Sequence, residues 1–148
     1  MANIQTITPC LWFDHQAEEA ARFYTAIFQN SRITQISRYS EAGQEIHGKQ
    51  PGSVLTVAFE LDGQSFTALN GGPIFKFNEA ISLQVNCQTQ EEIDYHWDRL
   101  SAGGDKNAQQ CGWLKDKSGP IGPPFIPGLG KQTEQTAGRL RLNRPALG

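Results

Sequence analysis

The stretch VLTVAFELDGQSFTAL, residues 54–69, decides the fold of this chain. Residues 54–61 and 64–69 are rich in the β-branched and aromatic side chains that favour strands. Asp62 and Gly63 stand between these two runs, and an Asp-Gly pair in that place is a strong signal for a two-residue hairpin turn. The sequence therefore predicts an antiparallel hairpin in the first half of the chain.

An amphipathic helix precedes this hairpin. It is predicted over residues 14–28, with Asp14 as its N-cap. Residues 4–13 and 32–39 have the composition of strands and flank the helix, so the first half is predicted as strand, helix and three strands. The apolar positions of the helix, which recur at helical spacing, are Ala20, Phe23, Tyr24, Ile27 and Phe28.

The same order begins again in the second half. Residues 79–85 are predicted to form a strand, and residues 91–100 a helix with Thr89 as its cap. A short strand is expected over residues 109–114. The chain thus shows a repeat in architecture, although not in amino-acid letters. We expect residues 1–117 to hold two modules, approximately residues 1–73 and 74–117.

A segment rich in glycine and proline ends the chain. Residues 118–148 hold six of the 15 glycines and five of the 8 prolines. Prolines within residues 119–124 remove backbone donors, so we expect this run to stay out of the interior of a sheet. We expect residues 118–148 to form an atypical and poorly ordered extension.

The composition excludes several classes of protein. The formal net charge is −2, with 13 Lys and Arg against 15 Asp and Glu. Such a balance argues against nucleic-acid binding, which usually needs a basic surface. There is no apolar run of about 20 residues for a membrane span and no signal-peptide pattern. Cys10, Cys87 and Cys111 are widely spaced, as expected of buried free thiols in a cytoplasmic protein.

Several motifs resemble one known family. The chain is similar to the glyoxalase/bleomycin-resistance/dioxygenase group, also called the vicinal oxygen chelate superfamily. Within that group it resembles the PhnB-like branch, which is often labelled 3-demethylubiquinone 3-methyltransferase-like. The motifs are LWF at residues 11–13, AARFY at 20–24, FTALNGGP at 66–73, FKFNEAIS at 75–82 and CGWLKDK at 111–117.

This resemblance implies an α+β fold in which two βαβββ modules form a cupped mixed sheet. It also implies a homodimer. Such proteins usually continue after Lys117 with a final strand, whereas here residues 118–148 stand in place of the family's last strand. This change is consistent with a shift of reading frame near the end of the gene.

Metal-dependent members of the superfamily carry His or Glu at two positions in each module. Carried over by motif, these positions fall near Pro9, Ala68, Ala80 and Pro123. None of these side chains can ligate a divalent ion, which needs several lone-pair donors. His15, His47 and His96 lie elsewhere and are expected at the surface or in packing. We therefore expect neither a metal site nor a cofactor.

Other chemistries find little support in the sequence. The glycines at 71–72 and 103–104 do not open a helix after a parallel strand, as a glycine-rich nucleotide loop does. Methyl transfer is therefore disfavoured. No His lies near Cys111 in sequence to activate its thiol, and no catalytic residue is assigned.

A metal-free module that binds or sequesters a small molecule is the favoured function. The alternatives are an enzyme of the superfamily, such as an isomerase, lyase or dioxygenase, and a methyltransferase as the family label suggests. If the concave face follows the superfamily's ligand register, it presents mostly apolar side chains with a few amides and hydroxyls, a composition typical of ligand sites. The predicted ligand-binding residues are Leu11, Phe66, Asn70, Ser82, Gln84 and Trp113.

Overall fold

The chain folds into two compact units. They comprise Met1–Lys76 and Phe77–Gly148. The computed structural model of the protein describes residues 4–43, 48–78, 80–102, 114–115 and 124–129.

Unit 1 is a helix packed on a four-stranded mixed sheet. The strand order is β1-β4-β3-β2, in which β1 and β4 are parallel and the other neighbours are antiparallel. The predicted succession of strand, helix and three strands is confirmed. The elements are β1 (Cys10–Phe13), α1 (Ala17–Ile27), β2 (Arg32–Arg38), β3 (Val54–Leu61) and β4 (Gln64–Asn70).

The predicted hairpin joins β3 to β4. Leu61 pairs with Gln64, which leaves Asp62 and Gly63 as the two turn residues. Their φ angles are +50° and +79°, so both lie in the left-handed region that a twisted two-residue hairpin requires. Asp tolerates this conformation better than most residues and Gly adopts it freely, which explains why this pair stands here.

β1 is shorter than the sequence suggested, because it begins only after Pro9. Residues 4–9 are not in a strand, and Ile4 and Ile7 are exposed. The Gln5 side chain nevertheless holds this segment to β4: its Nε2 donates to the Ser65 carbonyl, and its Oε1 accepts from the Ser65 N–H, each at 3.0 Å. The amide of Gln5 thus takes the place of a backbone partner.

The core of unit 1 lies between α1 and the sheet. The ring of Phe59 is stacked on that of Phe66, with centroids 5.5 Å apart, and Tyr24 of α1 lies 6.3 Å from Phe59. All three side chains are buried. Burial of one large apolar side chain contributes about 1.5–3 kcal/mol. The buried residues of α1, which form one stripe, are Ala17, Ala20, Ala21, Tyr24 and Ile27.

Unit 2 repeats the strand arrangement of unit 1 over its described residues. Its sheet has the order β5-β7-β6, with β5 and β7 parallel and β7 and β6 antiparallel. In unit 1, β4 lies between β1, which is parallel to it, and β3, which is antiparallel. Among the described strands of unit 2, β7 likewise lies between parallel β5 and antiparallel β6. The elements are β5 (Leu83–Cys87), α2 (Gln90–Ser101), β6 (Leu114–Lys115) and β7 (Pro124–Leu129).

Thr89 caps α2 as predicted. Its side-chain oxygen accepts a hydrogen bond of 3.2 Å from the Glu92 N–H. The Glu92 carboxylate in turn accepts one of 2.7 Å from the Gln88 N–H. Two backbone donors at the helix start are thereby satisfied by side chains, as in a capping box.

β7 corrects the prediction for the end of the chain. Residues 124–129 were expected to lie in an atypical extension that replaced a strand, but they form the central strand of the unit 2 sheet. Pro124 is the first residue of the strand, where a missing N–H does little harm. Within the described sheet, β6 pairs with Pro124 and Phe125 and does not reach Pro127. Pro127 is therefore paired there with β5 alone. The remainder of residues 118–148 lies outside the described residues.

The architecture confirms the predicted α+β class. Part of the strand predicted over residues 109–114 lies outside the described residues; Leu114 is in β6. Within the parts of the chain that the structure describes, neither helix is long and apolar enough to cross a membrane.

Candidate functional site

Asn70 joins the start of α1 to the sheet. Its Oδ1 accepts a hydrogen bond of 2.8 Å from the Ala17 N–H, and its Nδ2 donates one of 3.1 Å to the Val54 carbonyl. Its own carbonyl accepts from the Tyr39 hydroxyl at 2.6 Å. Asn70 is buried, and these bonds satisfy both ends of its amide.

The cap of α1 therefore differs from the prediction. Asp14 was expected to be the N-cap, but the helix begins at Ala17 after Gln16, which makes no side-chain cap. The acceptor for the first helical N–H comes from Asn70, which is 53 residues away in sequence. A cap supplied from so far along the chain leaves no local motif.

The two faces of the unit 1 sheet differ in cover. One face packs against α1, and buried residues alternate along β1, β3 and β4 toward it. We call the opposite face the open face. It is formed by Cys10 and Trp12 of β1 and by the four residues of β4 and β3 that lie beside them across the sheet. Cys10 is exposed and the other five are half-buried. The open face consists of Cys10, Trp12, Thr56, Ala58, Thr67 and Leu69.

Three predicted ligand residues lie on the face that α1 covers. Leu11, Phe66 and Asn70 are buried, and Asn70 bonds directly to α1. Their expected placement on a concave, ligand-exposed face is therefore corrected. Neighbouring residues of a strand point to opposite faces, so an error of one residue in the register moves the whole set. Their role as ligand contacts stays a prediction.

The other predicted ligand residues belong to unit 2. Ser82 is half-buried just before β5. Gln84 is exposed, and its Nε2 donates a hydrogen bond of 2.8 Å to the Asn86 side chain. Side chains alternate between the two faces of a strand, and Cys87, which is buried, is an odd number of residues from both Gln84 and Asn86. Gln84 and Asn86 therefore lie together on the face of β5 opposite to Cys87. Trp113 lies outside the described residues.

The open face combines apolar surface with a few polar groups. Trp12, Leu69 and Thr56 lie side by side in register, as do Cys10, Thr67 and Ala58. The Thr56 hydroxyl shares a hydrogen bond with that of Ser37 on β2. None of the six residues is an Asp, Glu, Lys, Arg or His. This composition is typical of small-molecule sites.

Two glycine residues fix the position of the Trp12 side chain at one end of the open face. The indole N–H donates a hydrogen bond of 2.9 Å to the Gly72 carbonyl. A Cβ added to Gly71 would overlap the indole ring. Gly71 and Gly72 also donate their N–H groups to the carbonyls of Phe13 and Asp14. The motif at residues 70–72 therefore ties the end of β4 to the end of β1.

The sequence prediction missed the open face, although alternation along β4 carried a signal. Thr67 and Leu69 alternate with Phe66, Ala68 and Asn70. Alternation divides a strand into two sets, but it does not say which set a helix covers. The aromatic rings of Phe59 and Tyr24 determine which set is covered, because they pack against Phe66 and so bury the set that contains it.

The cysteines and histidines occupy varied settings. Cys87 is buried as expected, whereas Cys10 is exposed, which corrects its expected burial. His96 of α2 lies with Nδ1 3.6 Å from the Cys87 Sγ and 2.8 Å from the Glu92 carbonyl. The short contact is that of a ring N–H donating to a carbonyl, so Nδ1 is no base for the thiol. His15 is exposed, while His47 and Cys111 lie outside the described residues.

The positions that hold metal ligands in the superfamily do not fit a metal here. Ala68 is buried on the face that α1 covers, and neither Pro9 nor Ala80 has a donor side chain. Pro123 lies outside the described residues. Among the described residues, no three His, Cys, Asp or Glu side chains are grouped so that they could hold a metal ion.

Comparisons with known proteins identify relatives. A family model described as 3-demethylubiquinone-9 3-methyltransferase matches residues 5–120. The solved structure of the PhnB protein from Bacillus cereus is 36% identical, with a TM-score of 0.68, and the match covers 85% of this chain and 100% of that one. Protein PA1353 from Pseudomonas aeruginosa is 14% identical over 84% of this chain and 96% of its own, with a TM-score of 0.63, and shows a likeness of fold alone. No curated protein matches the chain.

Proposed function

Because this chain belongs to the 3-demethylubiquinone-9 3-methyltransferase family, and is a PhnB-like protein with the glyoxalase fold, we propose that it binds a small molecule without a metal. The proposed site is the open face of unit 1. The observation that carries this proposal is the half-buried, largely apolar surface that Trp12, Thr67 and Leu69 form opposite α1.

The contacts on the two faces support the choice of the open face. On the α1 face, the side-chain amide of Asn70 is already hydrogen-bonded to the backbone of Ala17 and Val54, so a ligand there would have to displace the helix. On the open face, the hydroxyl of Thr67 and the thiol of Cys10 lie next to each other in register. These groups could orient a ligand while Trp12 and Leu69 supply apolar contact.

Methyl transfer, which the family description names, is not part of this proposal. A glycine-rich loop for a nucleotide-like cofactor joins a parallel strand directly to a helix. Here Gly71 and Gly72 follow β4 and lead into the turn at Pro73 and Ile74. We expect S-adenosylmethionine to leave the melting temperature unchanged, and a saturable rise would favour the family description instead.

The alkylation rate of Cys10 tests the proposed site. Cys10 lies on the open face, whereas Cys87 is buried and serves as an internal control. A fragment library is screened for compounds that slow the reaction of Cys10 with iodoacetamide, measured by peptide mass mapping. We expect hits that protect Cys10. If no compound protects Cys10, although it remains reactive, the proposed function fails.

A pair of variants locates any ligand found in this way. Thr67→Tyr adds bulk to the open face, and Gln64→Tyr adds the same bulk at an exposed position of the same strand. We expect Thr67→Tyr to abolish binding and Gln64→Tyr to leave the dissociation constant unchanged. Equal affinities of both variants would place the ligand elsewhere.

We also propose a homodimer, which the family resemblance supports. Native mass spectrometry of the purified chain reads subunit number and any bound organic molecule together. A mass of two chains is expected, and a single-chain mass at all concentrations would contradict the dimer.

A further inference from the structure

Asn70 and Gly71 form the one Asn-Gly pair in the sequence. In such a pair the glycine backbone nitrogen can attack the side-chain carbonyl carbon of the asparagine, because glycine has no Cβ to obstruct the approach. The attack closes a five-membered succinimide ring and releases the side-chain nitrogen as ammonia. Water then opens the ring at either carbonyl, which leaves aspartate or isoaspartate. The pair therefore has the composition of a deamidation site.

The packing of unit 1 requires both residues of this pair. The Asn70 side chain accepts from the Ala17 N–H and donates to the Val54 carbonyl, and an amide has both the acceptor and the donor that these bonds need. A Cβ added to Gly71 would overlap the indole ring of Trp12. A helix cap and a close aromatic contact thus explain why a reactive pair stands at the end of β4.

The folded structure restrains each of the reacting groups. The nucleophile is the Gly71 nitrogen, whose N–H donates a hydrogen bond of 2.9 Å to the Phe13 carbonyl. The attacked carbonyl and the departing nitrogen belong to the Asn70 amide, which is held by bonds of 2.8 and 3.1 Å. Asn70 is only 8% exposed, so water has little access to it. Ring closure therefore requires these three hydrogen bonds to open.

We propose that Asn70 is a deamidation site whose reaction is released when the junction of β1, β4 and α1 opens. This inference does not depend on the proposed ligand site. The aspartate product keeps an acceptor for the Ala17 N–H, but its carboxylate has no donor for the Val54 carbonyl. The isoaspartate product lengthens the backbone and so displaces Gly71 from Phe13. Opening of the junction thus leaves a permanent chemical change that weakens the refolded unit.

The first test compares deamidation in the folded and the unfolded chain. The full-length protein is kept at mildly alkaline pH, in buffer or in urea that unfolds it, and peptide mass mapping follows each asparagine. In urea we expect Asn70 to react faster than the other asparagines. In buffer its rate should be about a hundredfold lower, because three hydrogen bonds must open before the attack.

Two controls separate the chemistry of the pair from the opening of the fold. Gly71→Ala should slow the reaction of Asn70 in urea, where packing against Trp12 no longer matters. Asn30, which is followed by Ser31, is exposed in the folded protein. The ratio of the rate in urea to the rate in buffer should therefore be smaller at Asn30 than at Asn70.

A variant that carries the product measures the effect on the fold. Asn70→Asp should lower the urea midpoint of unfolding, because a carboxylate replaces the donor to the Val54 carbonyl. Asn78→Asp is the matched control: Asn78 is exposed, and its Oδ1, which accepts from the Ala80 N–H at 2.8 Å, is retained by aspartate. This control should leave the midpoint unchanged.

The proposal is overturned if Asn70 deamidates equally fast in buffer and in urea, or if another asparagine reacts faster in urea. It is also overturned if Asn70→Asp is as stable as Asn78→Asp. An Asn70→Asp chain that does not fold would support the proposal, since the product is then unable to refold. The two rates of the parent chain decide the question independently of that variant.

Discussion

The side-chain oxygen of Asn70, the last residue of β4, lies 2.8 Å from the backbone nitrogen of Ala17, the first residue of α1. This hydrogen bond satisfies a helix donor that has no partner within the helix. Because the Asn70 Nδ2 also donates to β3, one buried amide connects the helix to two strands. The residue is thus engaged in the architecture of unit 1.

Asn70→Leu is expected to lower the free energy of unfolding by about 2–3 kcal/mol, because it removes a helix cap and leaves buried backbone groups unpaired. Urea denaturation measures this change. Gln84→Leu is the matched control, since Gln84 is exposed and its side chain donates to that of Asn86, a neighbour on the same strand. It should change stability by less than about 0.5 kcal/mol. Equal effects of the two substitutions would argue against the role of Asn70 described above.

Gly71→Ala is expected to displace the Trp12 ring. An added Cβ would overlap the indole, and overpacking of this kind costs about 1–3 kcal/mol. Near-ultraviolet circular dichroism should change together with the melting temperature. Gly52→Ala is the control: its φ of +87° makes it strained, yet no atom lies within 4 Å of the new Cβ. It should lose stability with an unchanged tryptophan spectrum, and a spectral change in Gly52→Ala alone would contradict the prediction.

Thr89→Ala is expected to destabilise α2 by about 1 kcal/mol, because the Glu92 N–H loses its acceptor. Hydrogen exchange at the start of α2 measures the loss locally. Thr89→Ser should restore protection, since it keeps the hydroxyl. Gln88→Ala keeps its backbone donor and should leave exchange unchanged; a loss of protection there equal to that of Thr89→Ala would show that the hydroxyl is not the cause.

Cys10 is expected to react with iodoacetamide well before Cys87 in the native protein. Cys10 is exposed, whereas Cys87 is 1% exposed and requires local opening to react. Peptide mass mapping over time separates the two sites. In denaturant the two rates should converge. Faster native labelling of Cys87 would mean that unit 2 opens more readily than its packing implies.

Deletion of β7 is expected to expose β5. A chain that stops at residue 123 lacks the parallel partner of Leu83–Cys87, whereas a chain that stops at residue 129 keeps every described strand. Hydrogen exchange should show lost protection over residues 83–87 in the shorter chain only. Retained protection there would remove β7 from its central place in the sheet.

Local chemistry decides how much of this fold the sequence can predict. The hairpin at Asp62 and Gly63 and the cap at Thr89 depend on residues a few positions apart, and both were predicted. The start of α1 was not, since its acceptor comes from Asn70 at the far end of the module. Long-range partners of this kind leave no pattern within a sequence window.

The candidate site was harder to predict for a different reason. Leu11, Phe66 and Asn70 form one set along their strands, and Trp12, Thr67 and Leu69 form the other. Both sets contain apolar and polar members, so composition does not say which one faces the helix. The proline rule excluded residues 119–124 from the interior of a sheet, yet Pro124 begins β7. Among the described residues, the register partner of Pro124 is Lys115 of β6, and the pairing with β5 starts only at Phe125.

In each unit the first described strand pairs with the last described strand, and this has a consequence for synthesis. Cys10 can pair with its partner in the parallel strand only after Thr67 has been synthesised, and Leu83 only after Phe125 has been synthesised. As the chain leaves the ribosome, β5 and α2 are made long before the strand that lies between β5 and β6. Nascent unit 2 therefore holds an unpaired strand until residues 124–129 are translated, and during that interval it is exposed to chaperones and proteases.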